Sequence, residues 1–277
     1  MLIVDDDHLA HELATEAGRR LLDLRDGADF GDQAALRAAG DLLSHEFLTA
    51  ALAAHRQRDA LLSEESEDDP VRLKSSRVWI VDPLDGTREF GEEGRTDWAV
   101  HVALWERGDL GGAAGPPRGR LVAGAVALPA QGRTFSTVAT GTSGDANGQN
   151  AGGPTGVARL KMVVSRTRPP GFVRRLAAGI GADLIPLGSA GAKIIAVVSG
   201  AADAYVHSGG MYEWDSAAPV AVAAAAGLHA SRIDGRPLAY NQPDPRLPDI
   251  LVCRSAIAAM MLAAIRSAGG ADGPARW

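Results

Sequence analysis

Asp82 and Asp85 stand three residues apart at the end of Val78-Trp79-Ile80-Val81, a compact apolar run of strand length. Between and after them, Pro83 fixes φ and Gly86 permits a tight reversal. The segment can therefore turn both carboxylates and the Leu84 carbonyl towards one point. These are oxygen donors of the kind Mg²⁺ takes, at about 2.0–2.1 Å in octahedral geometry completed by water and phosphate. The amides of Gly86 and Thr87 then open a short predicted helix, whose N-terminus offers unpaired N–H groups to an anion. Metal and amides together can grip one phosphate.

Two further segments place carboxylates at the edges of predicted elements. Leu62-Ser63-Glu64-Glu65-Ser66 places a carboxylate after a short apolar run, and Glu213-Trp214-Asp215-Ser216-Ala217-Ala218-Pro219, followed by Ala226-Gly227, places another at the start of a predicted helix. Trp79 to Phe90 resembles the first signature of the inositol-monophosphatase superfamily, Glu213 to Pro219 resembles its second, and the Glu64 segment resembles its acidic stretch. The resemblance implies a phosphomonoesterase with two or three Mg²⁺ ions, held by Glu64, Asp82, Asp85, Asp215 and the Leu84 carbonyl. Such a cluster needs cations, because like charges 4 Å apart repel by about 4 kcal/mol per pair at an effective dielectric near 20. The resemblance also implies that Thr87 and a partner Asp orient and deprotonate the attacking water. Asp41 fits that partner by its position just ahead of the second predicted helix, with Asp29 and Asp32 as the alternatives.

Asp85-Gly86-Thr87-Arg88-Glu89-Phe90 and Gly188-Ser189-Ala190-Gly191-Ala192-Lys193-Ile194 resemble the bisphosphate-nucleotidase branch of the family. That implies a small phosphorylated substrate, 3'-phosphoadenosine 5'-phosphate or its sulfated form, losing its 3'-phosphate in the service of sulfate assimilation. Inositol-phosphate or fructose-bisphosphate hydrolysis is the alternative within the family, and a metal-binding module without turnover is the alternative outside it. The substrate contacts implied are Gly86, Thr87, Ser165, Arg168, Ser189, Lys193 and Asp215, with Tyr240 either lining a base pocket or packing a hairpin. Lys193 suits a phosphate oxygen as a point charge. Lithium inhibition and a homodimer are further family traits that the resemblance implies.

These groups must be positioned by the elements around them. Leu9, Leu13, Ala17, Leu21 and Leu24 recur at helical spacing, predicting a helix over 8–25, and a second is predicted over 42–57. Trp98, Val100, Val102 and Leu104 alternate as a strand does, as do parts of 121–128, with 108–119 as a long hairpin loop. The Gly-, Thr-, Ser- and Asn-rich stretch 139–156 reads as a linker. It separates an α+β domain, 1–150, from an α/β domain, 151–277, in which strands at 160–164, 184–185, 204–206 and 250–252 alternate with helices at 171–179, 189–199, 214–226 and 255–268. The tail 269–277 shows no periodicity and is expected to fray. The family resemblance implies that the two parts form a layered αβαβα sandwich of the inositol monophosphatase/fructose-bisphosphatase type, with the metals at their junction.

Composition narrows the field. The 277 residues carry a formal net charge of -6, without a cluster of Lys and Arg, so a nucleic-acid polymer finds no electrostatic footprint. Cys253 is the single cysteine, which rules out an internal disulfide or a cysteine-based zinc site and fits a reducing cytoplasm. No stretch has the flanks of a secretory signal or the length of about 20 apolar residues that spans a membrane. The seven histidines lack metal-ligand spacing and read as structural or exposed, and the acidic run Glu67-Asp68-Asp69 reads as a solvated face.

Overall fold

The computed structural model describes residues 5–108, 118–138 and 159–270. Most of the predicted hairpin loop, all of the predicted linker with the domain boundary placed in it, and the last residues of the tail lie outside them.

Two helices come first. Helix α1, Asp6–Asp26, is capped by Asp5, which accepts from the His8 amide, and buries Leu9, Leu13, Ala17 and Leu21. Helix α2, Gln33–His55, begins nine residues earlier than its periodicity predicts, where Asp32 accepts from the Ala35 amide and caps it. Asp41 therefore lies inside a helix rather than ahead of one. Five strands follow: β1, Ala60–Ser63; β2, Arg77–Asp85; β3, Ala99–Arg107; β4, Gly119–Leu128; and β5, Arg133–Ser136. They form one sheet in that order, with β1 parallel to β2 and every other pair antiparallel.

The second half contributes β6, Lys161–Ser165; α4, Val173–Ile180; β7, Asp183–Leu187; α5, Ala190–Val198; β8, Ala204–Tyr212; α6, Glu213–Ala225; β9, His229–Ser231; β10, Arg246–Cys253; and α7, Ala258–Ser267. Its sheet runs β7-β6-β8-β10-β9. Strands β8 and β10 are far longer than their apolar cores suggest, and β9 has no apolar run to announce it. The predicted helix over 255–268 divides into a 3-10 turn, Ser255–Ile257, and α7.

The layers follow from the two-residue period of the strands. On β3 and the residue before it, Trp98, Val100, Val102 and Leu104 face one core with α1 and α2, while Ala99, Ala103 and Trp105 face another, which also holds the apolar residues of α5 and α6. On the second sheet, Val163, Tyr205, Ile250 and Val252 turn towards α5 and α6, and Met162, Ala204, Val206, Leu251 and Cys253 turn towards α4 and α7. The result is the layered αβαβα sandwich, with α5 and α6 between the sheets. Among the described residues no helix is long and apolar enough to cross a membrane.

Candidate active site

A regular strand would send Asp82 and Asp85 to opposite faces, because residues three apart have opposite parity. In β2 the ladder shifts: Asp82 pairs with His101 and Asp85 with Ala99, so three steps on β2 oppose two on β3. This β-bulge turns both carboxylates to the face that meets α5 and α6. Pro83 fits because it has no amide to leave unpaired, and its carbonyl accepts from Ser44 Oγ at 2.6 Å. The Leu84 amide donates to Asp82 Oδ1 at 3.1 Å. The predicted turn after Val81 is thus a bulge inside a strand that runs on to Asp85.

Gly86 then adopts φ +84°, a left-handed conformation that a side chain disfavours, and begins the one-turn helix α3, Thr87–Phe90. Phe90 packs edge to face on Trp98 with ring centroids 5.0 Å apart, a contact worth about 0.5–1.5 kcal/mol beyond its buried area. Thr87 Oγ1 donates to the Leu84 carbonyl at 3.0 Å and stands 3.4 Å from Asp41 Oδ1. Asp41 comes this close because the preceding residue is Gly40, whose missing Cβ would meet the side chains of Phe90 and Leu84. Of the two alternatives to Asp41, Asp32 caps α2 and Asp29 accepts from the Gly31 amide.

The carboxylates gather from both halves of the chain. Asp85 Oδ2 accepts from Ser189 Oγ at 2.5 Å and from the Gly191 amide at 2.7 Å. Burial pushes the Asp85 carboxyl up, but the imidazole of His101, the Lys193 cation and these donors outweigh it and bring it down to about 2. Its neighbours go the other way. Asp82 is raised well above the carboxylate range by burial and then by Glu64, Asp85 and Asp215. Burial and the charge of Asp215 raise Glu64 to about 8, although its outer side is exposed to water. Burial and Asp85 raise Asp215 to about 7. Like charges in one buried cluster are in conflict.

That conflict is what divalent cations resolve, and the donor set fits them: Asp82 Oδ2 is buried without a partner, and ligand atoms of Asp82, Asp85 and His101 lie within 4.8 Å of one another. Glu64, Asp82, Asp85, Asp215 and the Leu84 carbonyl border one open cavity of about 380 Å³. Arg88, Ser165, Arg168, Gly188 and Lys193 border it too, so cationic side chains share the cavity with the carboxylates. Lys193, in the first turn of α5, is 3% exposed; its ammonium donates to the Gly188 carbonyl and lies 5.4 Å from the centre of the Tyr205 ring. Burial lowers its pKa.

Some predicted contacts are placed elsewhere. Tyr240 is buried in the core, its hydroxyl 3.1 Å from Ser216 Oγ, and does not reach the cavity. Ser189 caps α5 and donates to Asp85, so it steadies a carboxylate rather than facing the cavity. The run Glu67-Asp68-Asp69 is not idle: Asp68 pairs with Arg72, and Asp69 caps the 3-10 turn Pro70–Leu73.

Sequence reasoning passed over His101, Tyr205, His207 and Met211. His101 is fully buried; Nδ1 lies 3.1 Å from the Trp214 carbonyl and Nε2 lies 3.2 Å from Asp85 Oδ2. Its signal was its parity, which sets it on the same face of β3 as Ala99 and Ala103. His207 borders the cavity with Tyr205 and Met211, donates through Nε2 to the Gly209 carbonyl at 2.8 Å, and is lowered to about 4 by burial and Lys193.

Known proteins resemble this chain in sequence and in fold. A 3'-phosphoadenosine 5'-phosphate phosphatase of Mycobacterium leprae is 51% identical over 262 residues, covering 94% of this chain and 93% of that one. A protein of the same name from Mycobacterium tuberculosis is 49% identical over 254 residues, covering 91% and 90%. The crystal structure of CysQ from Bacteroides thetaiotaomicron superposes with a TM-score of 0.69 at 26% identity, over 90% of this chain and 97% of that one. The inositol monophosphatase family model matches residues 9–269, and with the bulged carboxylate pair and the Asp215 helix in place the chain belongs to that family.

Proposed function

We propose that this protein hydrolyses the 3'-phosphate of 3'-phosphoadenosine 5'-phosphate, and of its sulfated form, to give AMP or adenylyl sulfate plus phosphate, with Mg²⁺ at the carboxylate cluster. The observation that carries this reading is that cationic side chains border the cavity beside its carboxylates. An ester with one phosphate needs only the carboxylates and the cations they would hold. Arg168 and Lys193, which border the same cavity, suit a substrate with a second anionic group. The relatives named for this activity, about half identical over most of the chain, support the same substrate.

In this reading residues 1–150 supply Glu64, Asp82, Leu84 and Asp85, and residues 151–277 supply Asp215, Lys193 and Arg168. Cations held there would supply Lewis-acid stabilisation of the phosphoryl charge and would lower the pKa of water towards neutrality. The chain does the rest. Thr87 spends its proton on the Leu84 carbonyl, which leaves an oxygen lone pair to receive and orient a water. Asp41, raised to about 6 by burial and by the charge of Glu65, is basic enough near neutrality to take that water's proton. Gly86 brings the backbone close to the phosphate without a Cβ, and Ser165 and Arg168 border the space for the nucleoside end.

Product analysis tests the assignment. Incubation of 3'-phosphoadenosine 5'-phosphate with Mg²⁺ is expected to yield AMP and phosphate in equal amounts. Release of adenosine 3'-phosphate, which requires cleavage at the other ester, contradicts it.

A further inference from the structure

Arg72 is a fully buried guanidinium that does not border the cavity. It lies in the 3-10 turn that follows the Glu64 segment, and its bonds run in two directions. Nε and Nη2 donate to the two oxygens of Asp68 at 2.6 and 2.8 Å. Nη1 donates to Asn241 Oδ1 at 2.8 Å, and Nη2 also to the Gln242 carbonyl at 2.9 Å. Asn241 returns a bond from Nδ2 to the Arg72 carbonyl at 3.2 Å. The amides of Asn241 and Gln242 in turn donate to the two oxygens of Glu213, at 2.5 and 2.7 Å. Glu213 is 1% exposed and is the first residue of α6, two before Asp215.

The chain holds this circuit at a price in backbone strain and desolvation. Among the described residues Asn241 is the one non-glycine with positive φ, at 56°. Buried charges of this kind are often no more stabilising than apolar side chains of the same volume, so stability alone is a weak reason for them. Their placement supplies a better one. Asp68 is four residues after Glu64, and Glu213 is two before Asp215. Glu64 and Asp215 come from opposite halves of the chain and border one cavity, where like charges repel. Something other than their own attraction must bring them together.

We propose that Arg72, acting through Asp68 on one side and through Asn241, Gln242 and Glu213 on the other, is a positioning residue that clamps the Glu64 segment to the Asp215 helix and so prebuilds the divalent-cation site. The clamp rests on the assignment of Glu64 and Asp215 to that site. It touches neither cation nor substrate.

The test is calorimetric titration of the metal-free protein with Mg²⁺ and with Mn²⁺, alongside thermal melting in EDTA, for Arg72→Met, Asp68→Asn, Glu213→Gln and, as a control, Asp215→Asn. The clamp predicts that metal affinity falls by about tenfold or more in the folded clamp variants, the range typical of groups that orient metal ligands. It also predicts that kcat at saturating metal stays within about twofold, and that the weakening exceeds what any drop in metal-free Tm accounts for. Should Arg72→Met fail to fold, Asp68→Asn and Glu213→Gln decide the matter. Unchanged affinity in every folded clamp variant, with affinity lost in Asp215→Asn, overturns the clamp. Unchanged affinity in Asp215→Asn as well overturns the cation-site assignment beneath it.

Discussion

The Nε2 of His101 lies 3.2 Å from Oδ2 of Asp85, while the other ring nitrogen of His101 lies 3.1 Å from the carbonyl of Trp214, the residue before Asp215. One imidazole thus spans the strand that carries two of the carboxylates and the helix that carries another. Replacing it by Gln removes a neighbour that holds the Asp85 carboxyl down. Protons then compete with metal at Asp85 up to higher pH. At fixed Mg²⁺ the acid limb of the kcat/KM profile is expected to move to higher pH in His101→Gln, with the smallest loss at pH 8 and above. A profile lowered equally at all pH values contradicts this.

Metal-free stability should depend on pH in an unusual direction. Glu64 and Asp215 rise from ordinary carboxylate values to about 8 and about 7 in the folded protein, so between about pH 4 and pH 8 the folded state holds protons that the unfolded state has released. Stability therefore falls as pH rises across that window. Asp85, at about 2, works the other way, but its contribution is lost only as pH falls below about 4. In EDTA the Tm at pH 5.5 is expected to exceed that at pH 8.5, and Mg²⁺ should close the gap from the alkaline side. A metal-free Tm that climbs with pH over this window contradicts the account.

Much of this site was legible as motif, and some of it only as geometry. Asp82, Asp85 and Asp215 stand in segments whose composition already announces oxygen donors. The bulge that aims the first two is invisible, because β2 continues through Pro83 and its register is set by β3. The start of α2 was hidden by Gly40, which reads as a breaker but is a point of close approach to Leu84 and Phe90. His101 sits at the polar parity of an otherwise apolar strand, which a reading by metal-ligand spacing ignores. The Arg72 circuit joins residues 169 and 170 apart in sequence, and no local pattern reports such a pairing.

In the proposed mechanism Asp41 and Thr87 act on the water and not on the metal. Asp41→Asn and Thr87→Ala are expected to lower kcat by about 10²–10⁴-fold, as loss of a positioned base does, while calorimetric Mg²⁺ affinity changes little. Loss of metal affinity equal to the loss of turnover would move Asp41 into the metal site instead.

Two glycines make a paired test of packing. A Cβ on Gly191 would run into Nε2 of His101, whereas a Cβ on Gly179 in α4 meets nothing within 4 Å. Gly191→Ala should displace the imidazole and weaken both folding and metal binding. Gly179→Ala should raise stability by up to about 1 kcal/mol through helix propensity and leave metal affinity alone. Equal behaviour of the two in melting and titration contradicts the close approach of α5 to His101.

The most direct test of the whole account compares kcat/KM for phosphate release from 3'-phosphoadenosine 5'-phosphate, inositol 1-phosphate and fructose 1,6-bisphosphate, each with Mg²⁺ and with EDTA. The account predicts that the nucleotide is preferred by at least about tenfold, a discrimination of about 1.4 kcal/mol, and that EDTA abolishes turnover of all three. Preference for the inositol or fructose ester, or turnover that survives EDTA, contradicts it.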